Sequence, residues 1–232
     1  MNPQDLIKQA RAQQRTALDE QAGKTLLAEY GVAVPRSLTV QNASEVDAAF
    51  AKLRAPLVVK IMSPDILHKS DAGGVKVGLK SAAEVKDAIN TMAVSPKIKG
   101  ARTDGYLVEE MAPSGQEIVV GGLRDPQFGP LVMVGLGGIF VEVLADVSFR
   151  ICPITRLDAQ EMLAELKGAA ILDGARGMKP VSSDAIIDVL LKVGGENGLL
   201  MRHADDICEA DINPLIVSEA GAVAVDARFI LG

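Results

Sequence analysis

A short aliphatic run with one lysine inside it places the strongest constraint on how this chain can fold. Residues 57–62 read Leu-Val-Val-Lys-Ile-Met after Pro56, and such a compact apolar run predicts a buried strand. Side chains alternate across a strand, so Val58, Lys60 and Met62 share one face. Because burying an unpaired ammonium group is costly, Lys60 needs a partner. That partner is a nucleotide phosphate if the strand lines a binding site, or solvent if the strand lies at a sheet edge.

Helices and further strands surround this run. Capping pairs at Ser44 and Asp47, Ser81 and Glu84, and Thr155 and Asp158 predict helix starts, and helical spacing is also present at residues 18–30 and 184–196. Aliphatic runs predict strands at residues 106–111, 117–123, 131–136, 149–151, 207–212, 215–218 and 222–227. Residues 95–103 are polar and predict a loop or hinge. We therefore expect an α+β protein with two α+β lobes, residues 1–104 and 105–232, and a cleft between them.

Composition excludes several classes of protein. The net charge is −6 and aromatic residues make up only 3%, so the basic face with interleaved aromatics that nucleic-acid binding needs is missing. No apolar run reaches the roughly 18 residues of a membrane span, and the first 15 residues lack a signal-peptide core. We expect a soluble, cytoplasmic protein. Cys152 and Cys208 lie far apart in apolar contexts and predict buried, reduced thiols.

A loop between two predicted strands carries a histidine. His68 is followed by Lys69, Ser70 and Asp71, and the loop ends in glycines. A loop histidine beside a carboxylate can be oriented as a nucleophile for phosphoryl transfer, while the alternative is an ordinary surface histidine. The other histidine, His203, lies at a helix end and is expected to be structural or solvated. Two distant histidines without a nearby cysteine do not predict a zinc site.

Carboxylates and glycines at strand ends form two further candidate sites. Glu109 and Glu110 end a predicted strand and could bind a ribose or an adenine amino group, or simply lie exposed. Gly137 and Gly138 directly follow a strand, where backbone N–H groups can bind phosphate oxygens, although the pattern is neither a Walker A loop nor a complete dinucleotide-binding motif. Arg150 beyond them could supply a positive charge to a transferring phosphoryl group.

Oxygen ligands occur near the end of the chain. Glu209, Asp211 and Asn213 precede Pro214, and Asp226 lies on the next predicted strand. Mg²⁺ prefers one or two protein oxygens together with phosphate oxygens and water. Asn213 and Asp226 on adjacent strands fit this preference, and the alternative is a β-hairpin with ordinary turn residues.

The order of these features resembles the ATP-grasp fold, in which a nucleotide lies between two α+β lobes. Within that fold, the chain resembles the nucleotide-binding subunit of ADP-forming acetyl-CoA synthetases, relatives of succinyl-CoA synthetase. The resemblance extends over residues 20–230, and its most diagnostic motifs are His68-Lys69-Ser70-Asp71 and Asp211-Ile212-Asn213-Pro214. Other segments that carry it are residues 26–35, 59–61, 125–130 and 135–142.

The resemblance implies a role for each candidate residue. Lys60 would bind ATP phosphates. His68 would be the second phosphohistidine, which accepts a phosphoryl group relayed from a partner subunit and passes it to ADP, or the reverse. Asn213 and Asp226 would hold Mg²⁺. The residues implied to contact the nucleoside are Glu109 and Glu117, with Glu110 and Met111 passing the adenine.

The resemblance also implies a partner. The CoA-binding lobe and a first phosphohistidine belong to a larger alpha subunit or domain, so this chain would work in a hetero-oligomer and meet CoA and a small carboxylic acid only through that partner. The sequence alone leaves two other functions open. One is an ATP-grasp ligase without a phosphohistidine, and the other is a nucleotide-sensing module that no longer catalyses.

Overall fold

The computed structural model describes residues 2–66, 69–138, 144–175 and 179–232. No helix in these ranges is long and apolar enough to cross a membrane. The helices are α1 (Pro3–Ala12), α2 (Glu20–Glu29), α3 (Val46–Phe50), α4 (Ala82–Val94), α5 (Arg156–Ala164), α6 (Ser183–Gly194) and α7 (Leu199–Arg202). The strands are β1 (Ser37–Val40), β2 (Leu57–Met62), β3 (Val75–Leu79), β4 (Gly105–Glu110), β5 (Gln116–Asp125), β6 (Gly129–Leu136), β7 (Val147–Ile151), β8 (Ile207–Ser218), β9 (Gly221–Ala224) and β10 (Arg228–Leu231).

The chain forms two compact units, and each combines helices with an antiparallel sheet as predicted. The smaller unit is Pro35–Ala112, and the larger unit joins Met1–Val34 to Pro113–Gly232. The predicted division near residue 104 is wrong on two counts. Strand β4 pairs with β1 and β2 and so belongs to the smaller unit. Helix α2 belongs to the larger unit, because Gly23 approaches the Ala227 carbonyl so closely that a Cβ there would lie 2.9 Å from its oxygen.

The smaller unit is a four-stranded sheet in the order β1-β4-β2-β3, with α3 and α4 packed against it. Strand β2 forms as predicted and is buried along its whole length. Val59 and Ile61 belong to the apolar core together with Val85, Ile89 and Met92 of α4. Since side chains alternate, Lys60 projects from the opposite face of this central strand.

The larger unit is built on a sheet in the order β10-β8-β5-β6-β7, with β9 paired to β8. Strand β8 continues from Ile207 to Ser218, where the sequence predicted two separate strands. Along it, Ala210 and Ile212 are buried in the core while Asp211 and Asn213 are exposed on the other face. Helices α6 and α7 therefore pack on one face of the sheet, and Asp211 and Asn213 lie on the opposite face.

Helix α1, which the sequence pattern did not predict, is held to the larger unit by a polar cluster. Arg11 donates to Asp206 at 2.7 Å, and Asp206 lies 3.8 Å from the ring Nδ1 of His203. His203 is only 4% exposed and makes an edge-on contact with Tyr30, with ring centroids 5.9 Å apart. Burial lowers the pKa of His203, and the Asp206 carboxylate offsets part of this effect. His203 is thus a buried part of the fold, in keeping with the structural role expected for it.

We expect His203 to make the larger unit less stable in mild acid. Below about pH 6.5 an unfolded histidine binds a proton, whereas folded His203 stays neutral until its lower pKa is reached. Within that window the free energy of unfolding falls with decreasing pH, by at most about 1.4 kcal/mol per pH unit. Urea denaturation across pH 5–8 should show a shallower slope for His203→Gln than for the wild type. The control His68→Gln should keep the wild-type slope, and an unchanged slope in His203→Gln would contradict the assignment.

Candidate functional site

The lysine inside β2 is buried and paired with a carboxylate. Lys60 Nζ lies 2.8 Å from Glu109 Oε1, and the two side chains are 6% and 1% exposed. Glu109 faces Val58 across the β2–β4 ladder, which puts its side chain on the same face as Lys60. The predicted need for a partner is therefore met within the smaller unit. The pairing keeps an ammonium charge inside the protein in a defined position.

The two residues after Glu109 have different surroundings. A carboxylate oxygen of Glu110 accepts a hydrogen bond of 3.0 Å from the backbone N–H of Arg54, so Glu110 supports the turn that precedes β2. Met111 donates its backbone N–H to Pro56 O, while its side chain remains 49% exposed. An exposed thioether beside a strand end offers an apolar surface to a planar ligand.

His68 itself lies outside the described residues, but both arms of its loop are described. Before it, Arg102 donates from Nε and Nη2 to the Asp65 carboxylate, and hydrogen bonds from Arg102 hold the pKa of Asp65 below its usual range. After it, Lys97 Nζ donates to Asp71 O at 2.9 Å. The loop closes at Gly74, where a Cβ would lie 2.5 Å from Ile61 Cγ2. The segment between α4 and β4 thus contacts both arms.

The larger unit brings the predicted metal ligands together. Asn213 donates its backbone N–H to Asp226 O at 3.2 Å, so the two residues are neighbours on adjacent chain segments. An Asp226 carboxylate oxygen accepts the N–H of Ala227 at 2.8 Å. Asp211 lies two residues before Asn213 on the same exposed face of β8.

The electrostatics of this cluster suit a bound cation. Desolvation by the surrounding protein and then the neighbouring Asp226 carboxylate raise the pKa of Asp211, Glu209 adds to the shift, and Arg228 offsets part of it. Carboxylates crowded in this way repel one another, and a divalent cation would relieve that repulsion. The described cluster supplies fewer oxygens than a protein-only Mg²⁺ site needs, so a metal bound here would take its other ligands from phosphate oxygens or water.

A cavity of about 340 Å³ opens on this face of the sheet. Its polar side chains are Glu209, Asp211 and Arg228. The remainder of its wall is glycine, alanine and apolar side chains, namely Gly121, Gly122, Leu123, Leu131, Met133, Phe149, Ala210 and Ile230. The sequence pattern did not single out Arg228; the signal that could have found it is its position two residues after Asp226, at the start of a short strand.

The glycines at the end of β6 lie against the start of β5. Gly137 donates its N–H to Glu117 O at 2.7 Å, and a Cβ at Gly137 would lie 2.7 Å from the Cβ of Glu117. Gly138 has a φ of +62°, a left-handed conformation that favours glycine. These glycines therefore allow a close approach of two strands, and the Glu117 side chain stays exposed at that edge.

The structure does not bring Arg150 to this cavity. Arg150 donates to Ser148 and, at 2.5 Å, to Glu165, and these contacts lie on the face of the sheet that carries α5. Hydrogen bonds from Arg150 and then Ser148 lower the pKa of Glu165 to about 2. Phe149, its neighbour in β7, points to the cavity instead. The alternation of β7 turns the Arg150 side chain away from the cavity, so this geometry does not support the catalytic role predicted for it.

The thiols differ in their exposure. Cys152 is buried and free, and burial raises its pKa to about 12. Cys208 is also free but only half-buried, and its sulfur accepts a hydrogen bond of 3.0 Å from Arg124. The expectation of two buried thiols is thus met by Cys152 alone.

Comparison with known proteins identifies relatives over the whole chain. The sequence pattern of the ATP-grasp domain matches residues 9–231. The chain is 45% identical over 229 residues to the beta subunit of acetate–CoA ligase [ADP-forming] I from Pyrococcus furiosus, covering 98% of this chain and 97% of that subunit. It is 39% identical over 218 residues to the 4-hydroxybutyrate–CoA ligase [ADP-forming] of Nitrosopumilus maritimus, covering 93% of this chain and 31% of the longer ligase.

A solved structure shares the fold at full length. The dinucleotide forming acetyl-coenzyme A synthetase 1 of Ca. Korarchaeum cryptofilum, in complex with coenzyme A, Ca-AMPCP and HgCl+, superimposes with a TM-score of 0.93 at 41% identity and full coverage of both chains. A second complex of that enzyme contains coenzyme A and Mg-AMPPCP and is described with its phosphohistidine segment pointing towards the nucleotide binding site. Its TM-score is 0.83 at 40% identity, again with full coverage of both chains.

We expect the smaller unit to lose stability when one partner of the Lys60–Glu109 ion pair is replaced and the other is kept. Glu109→Gln leaves a buried ammonium without its counter-charge, and such losses cost about 3–5 kcal/mol. Replacing both residues, as in Lys60→Met with Glu109→Leu, should recover most of that loss because two apolar side chains can pack together. Urea denaturation measures both effects.

The control is Glu110→Gln on the same strand. A glutamine oxygen can still accept the N–H of Arg54, so the expected change is within about 0.5 kcal/mol. Equal effects of Glu109→Gln and Glu110→Gln would show that the ion pair does not carry the stability assigned to it.

Proposed function

Because the chain belongs to the ATP-grasp family and, within it, groups with the beta subunits of ADP-forming acetate–CoA ligases, we propose that it is the nucleotide-binding subunit of an ADP-forming acyl-CoA synthetase. The overall reaction converts a carboxylic acid, CoA and ATP into acyl-CoA, ADP and phosphate. Two observations support the proposal. The smaller unit contains the buried cation Lys60, and the larger unit brings Asn213 and Asp226, the proposed oxygen ligands, next to each other.

The smaller unit would bind the nucleotide through Lys60. Glu109 holds the ammonium group in place, and a nucleotide phosphate would take up the positive charge from the other side. The nucleoside would lie along the end of β4, where Met111 is exposed to contact the adenine and Glu110 holds the neighbouring turn. In the larger unit, the exposed side chain of Glu117 is proposed to contact the nucleoside.

The larger unit would bind Mg²⁺ and the phosphates. Asn213 and Asp226 are the proposed ligands, since their backbones are hydrogen-bonded and their side chains supply oxygens. When bound, the ion would neutralise charge on the phosphate oxygens. The backbone N–H groups near Gly137 and Gly138 would donate to the remaining phosphate oxygens at the end of β6.

His68 is the proposed acceptor of the phosphoryl group. The unprotonated ring nitrogen attacks the γ-phosphorus of ATP, and a P–N bond forms as the bond from that phosphorus to the bridging oxygen breaks. The electron pair of the broken bond stays on ADP, and the proton on the other ring nitrogen is retained. The step runs in reverse when ADP accepts the group. Little covalent help is required from other residues, because positioning and charge neutralisation provide most of the catalysis.

A larger CoA-binding partner completes the proposed enzyme. The chain spans nearly the whole beta subunit of the Pyrococcus ligase but about a third of the single-chain ligase of Nitrosopumilus. We assign the CoA site, the acid site and the first phosphohistidine to the partner. The names of these two relatives differ in the acid they use, so the proposal places selection of the acid in the partner and leaves this chain the nucleotide chemistry.

The proposal predicts a phosphoenzyme at His68. With the partner present and CoA omitted, γ-labelled ATP and Mg²⁺ should transfer label to this chain, and the label should be labile in acid and stable in base. His68→Asn should lose the label from this chain, whereas His203→Gln should be labelled like the wild type. Gel separation of the two subunits followed by autoradiography makes the measurement.

Each other outcome selects a different function. Labelling of this chain that is indifferent to His68→Asn would refute the phosphohistidine. Formation of an acyl phosphate without any labelled protein would indicate an ATP-grasp ligase of another type. Nucleotide binding without any transfer would indicate a sensing module.

A further inference from the structure

The proposed site still needs a cation in the larger unit for the phosphoryl group in transfer, and one arginine lies on the correct face. Arg228 begins β10 and is the direct cross-strand partner of Asp211. Its side chain lines the 340 Å³ cavity beside Asp211 and Glu209. Asp211, in turn, precedes Asn213 by two residues on the exposed face of β8, and Arg228 follows Asp226 by two residues. Arg228 therefore lies two residues from Asp226 along the chain and opposite Asp211, which is itself two residues from Asn213.

Arg228 is exposed and available to a ligand. In the part of the chain that the structure describes, its guanidinium forms no ion pair within 4.0 Å, although two carboxylates line the same cavity. A guanidinium offers several N–H donors in one plane, which suits two oxygens of a phosphoryl group. An arginine that stays unpaired beside carboxylates keeps these donors free for an anion.

Arg150 differs in each of these respects. It donates to Glu165 at 2.5 Å and lies 3.8 Å from Glu161, so its guanidinium is already neutralised by protein carboxylates. It also projects from the opposite face of the sheet, since the cavity is lined by its neighbour Phe149. Breaking these ion pairs and turning the side chain through the sheet would be required before it could reach a phosphate.

We propose that Arg228 is a catalytic residue that binds the peripheral oxygens of the phosphoryl group as it passes between ATP and His68. This inference rests on the function proposed above. In the transition state negative charge is spread over the three peripheral oxygens, and a guanidinium bound to them would stabilise this state more than it stabilises bound ATP. Arg228 makes and breaks no bond in the step; the P–N bond still forms at His68, and the electron pair of the broken bond still stays on ADP.

The apolar part of the cavity has a complementary role. Leu123, Met133 and Phe149 lie on the same face as Arg228 and form much of the cavity wall. When a ligand covers them, apolar walls would reduce the access of water to a phosphoryl group and strengthen the interaction between the guanidinium and the phosphoryl oxygens. Such an environment favours transfer to a histidine over loss of phosphate to water.

The experiment compares the two arginines as glutamine variants in the complex with the partner subunit. Rapid-quench labelling of His68 with γ-labelled ATP gives the rate at saturating ATP and the ATP concentration for half-maximal rate. Arg228→Gln should lower the saturated rate about 10²- to 10³-fold, as for loss of one transition-state donor, while Arg150→Gln should stay within about threefold of the wild type. The ADP dissociation constant, measured by calorimetry, should change less than about threefold in Arg228→Gln, because ADP lacks the transferred group.

A second variant guards against a structural explanation. Arg228→Lys keeps the charge but loses the planar pair of donors, so it should label faster than Arg228→Gln and slower than the wild type. All variants should melt close to the wild type, since Arg228 is exposed. Three outcomes would overturn the proposal. The first is a wild-type rate in Arg228→Gln, and the second is a large loss only in Arg150→Gln. The third is equal losses in Arg228→Gln and Arg228→Lys together with a lowered melting temperature. Absence of label on His68 in the wild-type complex would refute the proposed function and this inference with it, whereas normal label in both wild type and Arg228→Gln would refute only the inference.

Discussion

The register of strand β8 against its two neighbours is the constraint on which the larger unit depends. The pairing with β5 sets Gly121 opposite Asp211, and the pairing with β10 sets Arg228 opposite the same residue. Ala210 and Ile212 are buried by this register, and a shift of one residue would exchange them with the acidic side chains. Burial of the apolar face therefore also determines which polar groups meet on the other face. The register of β8 therefore both stabilises the sheet and sets the geometry of the proposed site.

The charged residues discussed for the two units differ in their exposure to water. In the smaller unit Lys60 and Glu109 are removed from water, and such a pair is tolerated because each charge compensates the other. In the larger unit Asp211 and Arg228 are accessible on a sheet face that lines the cavity. A buried pair holds a side chain in place, whereas exposed charges remain free to respond to ligand. The proposed function would use both properties, since phosphoryl transfer requires ATP to be oriented and the developing charge to be compensated.

Local chemistry made several residues predictable from the sequence. Lys60 could be singled out because an ammonium group inside an aliphatic strand requires a partner, and β2 is buried as predicted. The proposed oxygen ligands Asn213 and Asp226 could be paired because they lie at the ends of neighbouring predicted strands, and their backbones are hydrogen-bonded. Glu109 could be chosen only as one of two adjacent carboxylates, since its pairing with Lys60 arises from the β2–β4 ladder between residues far apart in sequence.

The sequence by itself determined the α+β class, most of the strands and helices, and the residues that resemble a nucleotide-binding ligase subunit. These follow from local periodicity, capping pairs and short motifs, all of which act over a few residues. The tertiary structure decided the extent of the two units, because the pairing of β4 and the packing of α2 join segments far apart in the chain. It also separated the two arginines in space. Arg150 and Arg228 are equivalent as residues, but only strand alternation and cross-strand register place Arg228 beside Asp211 and turn Arg150 towards Glu165.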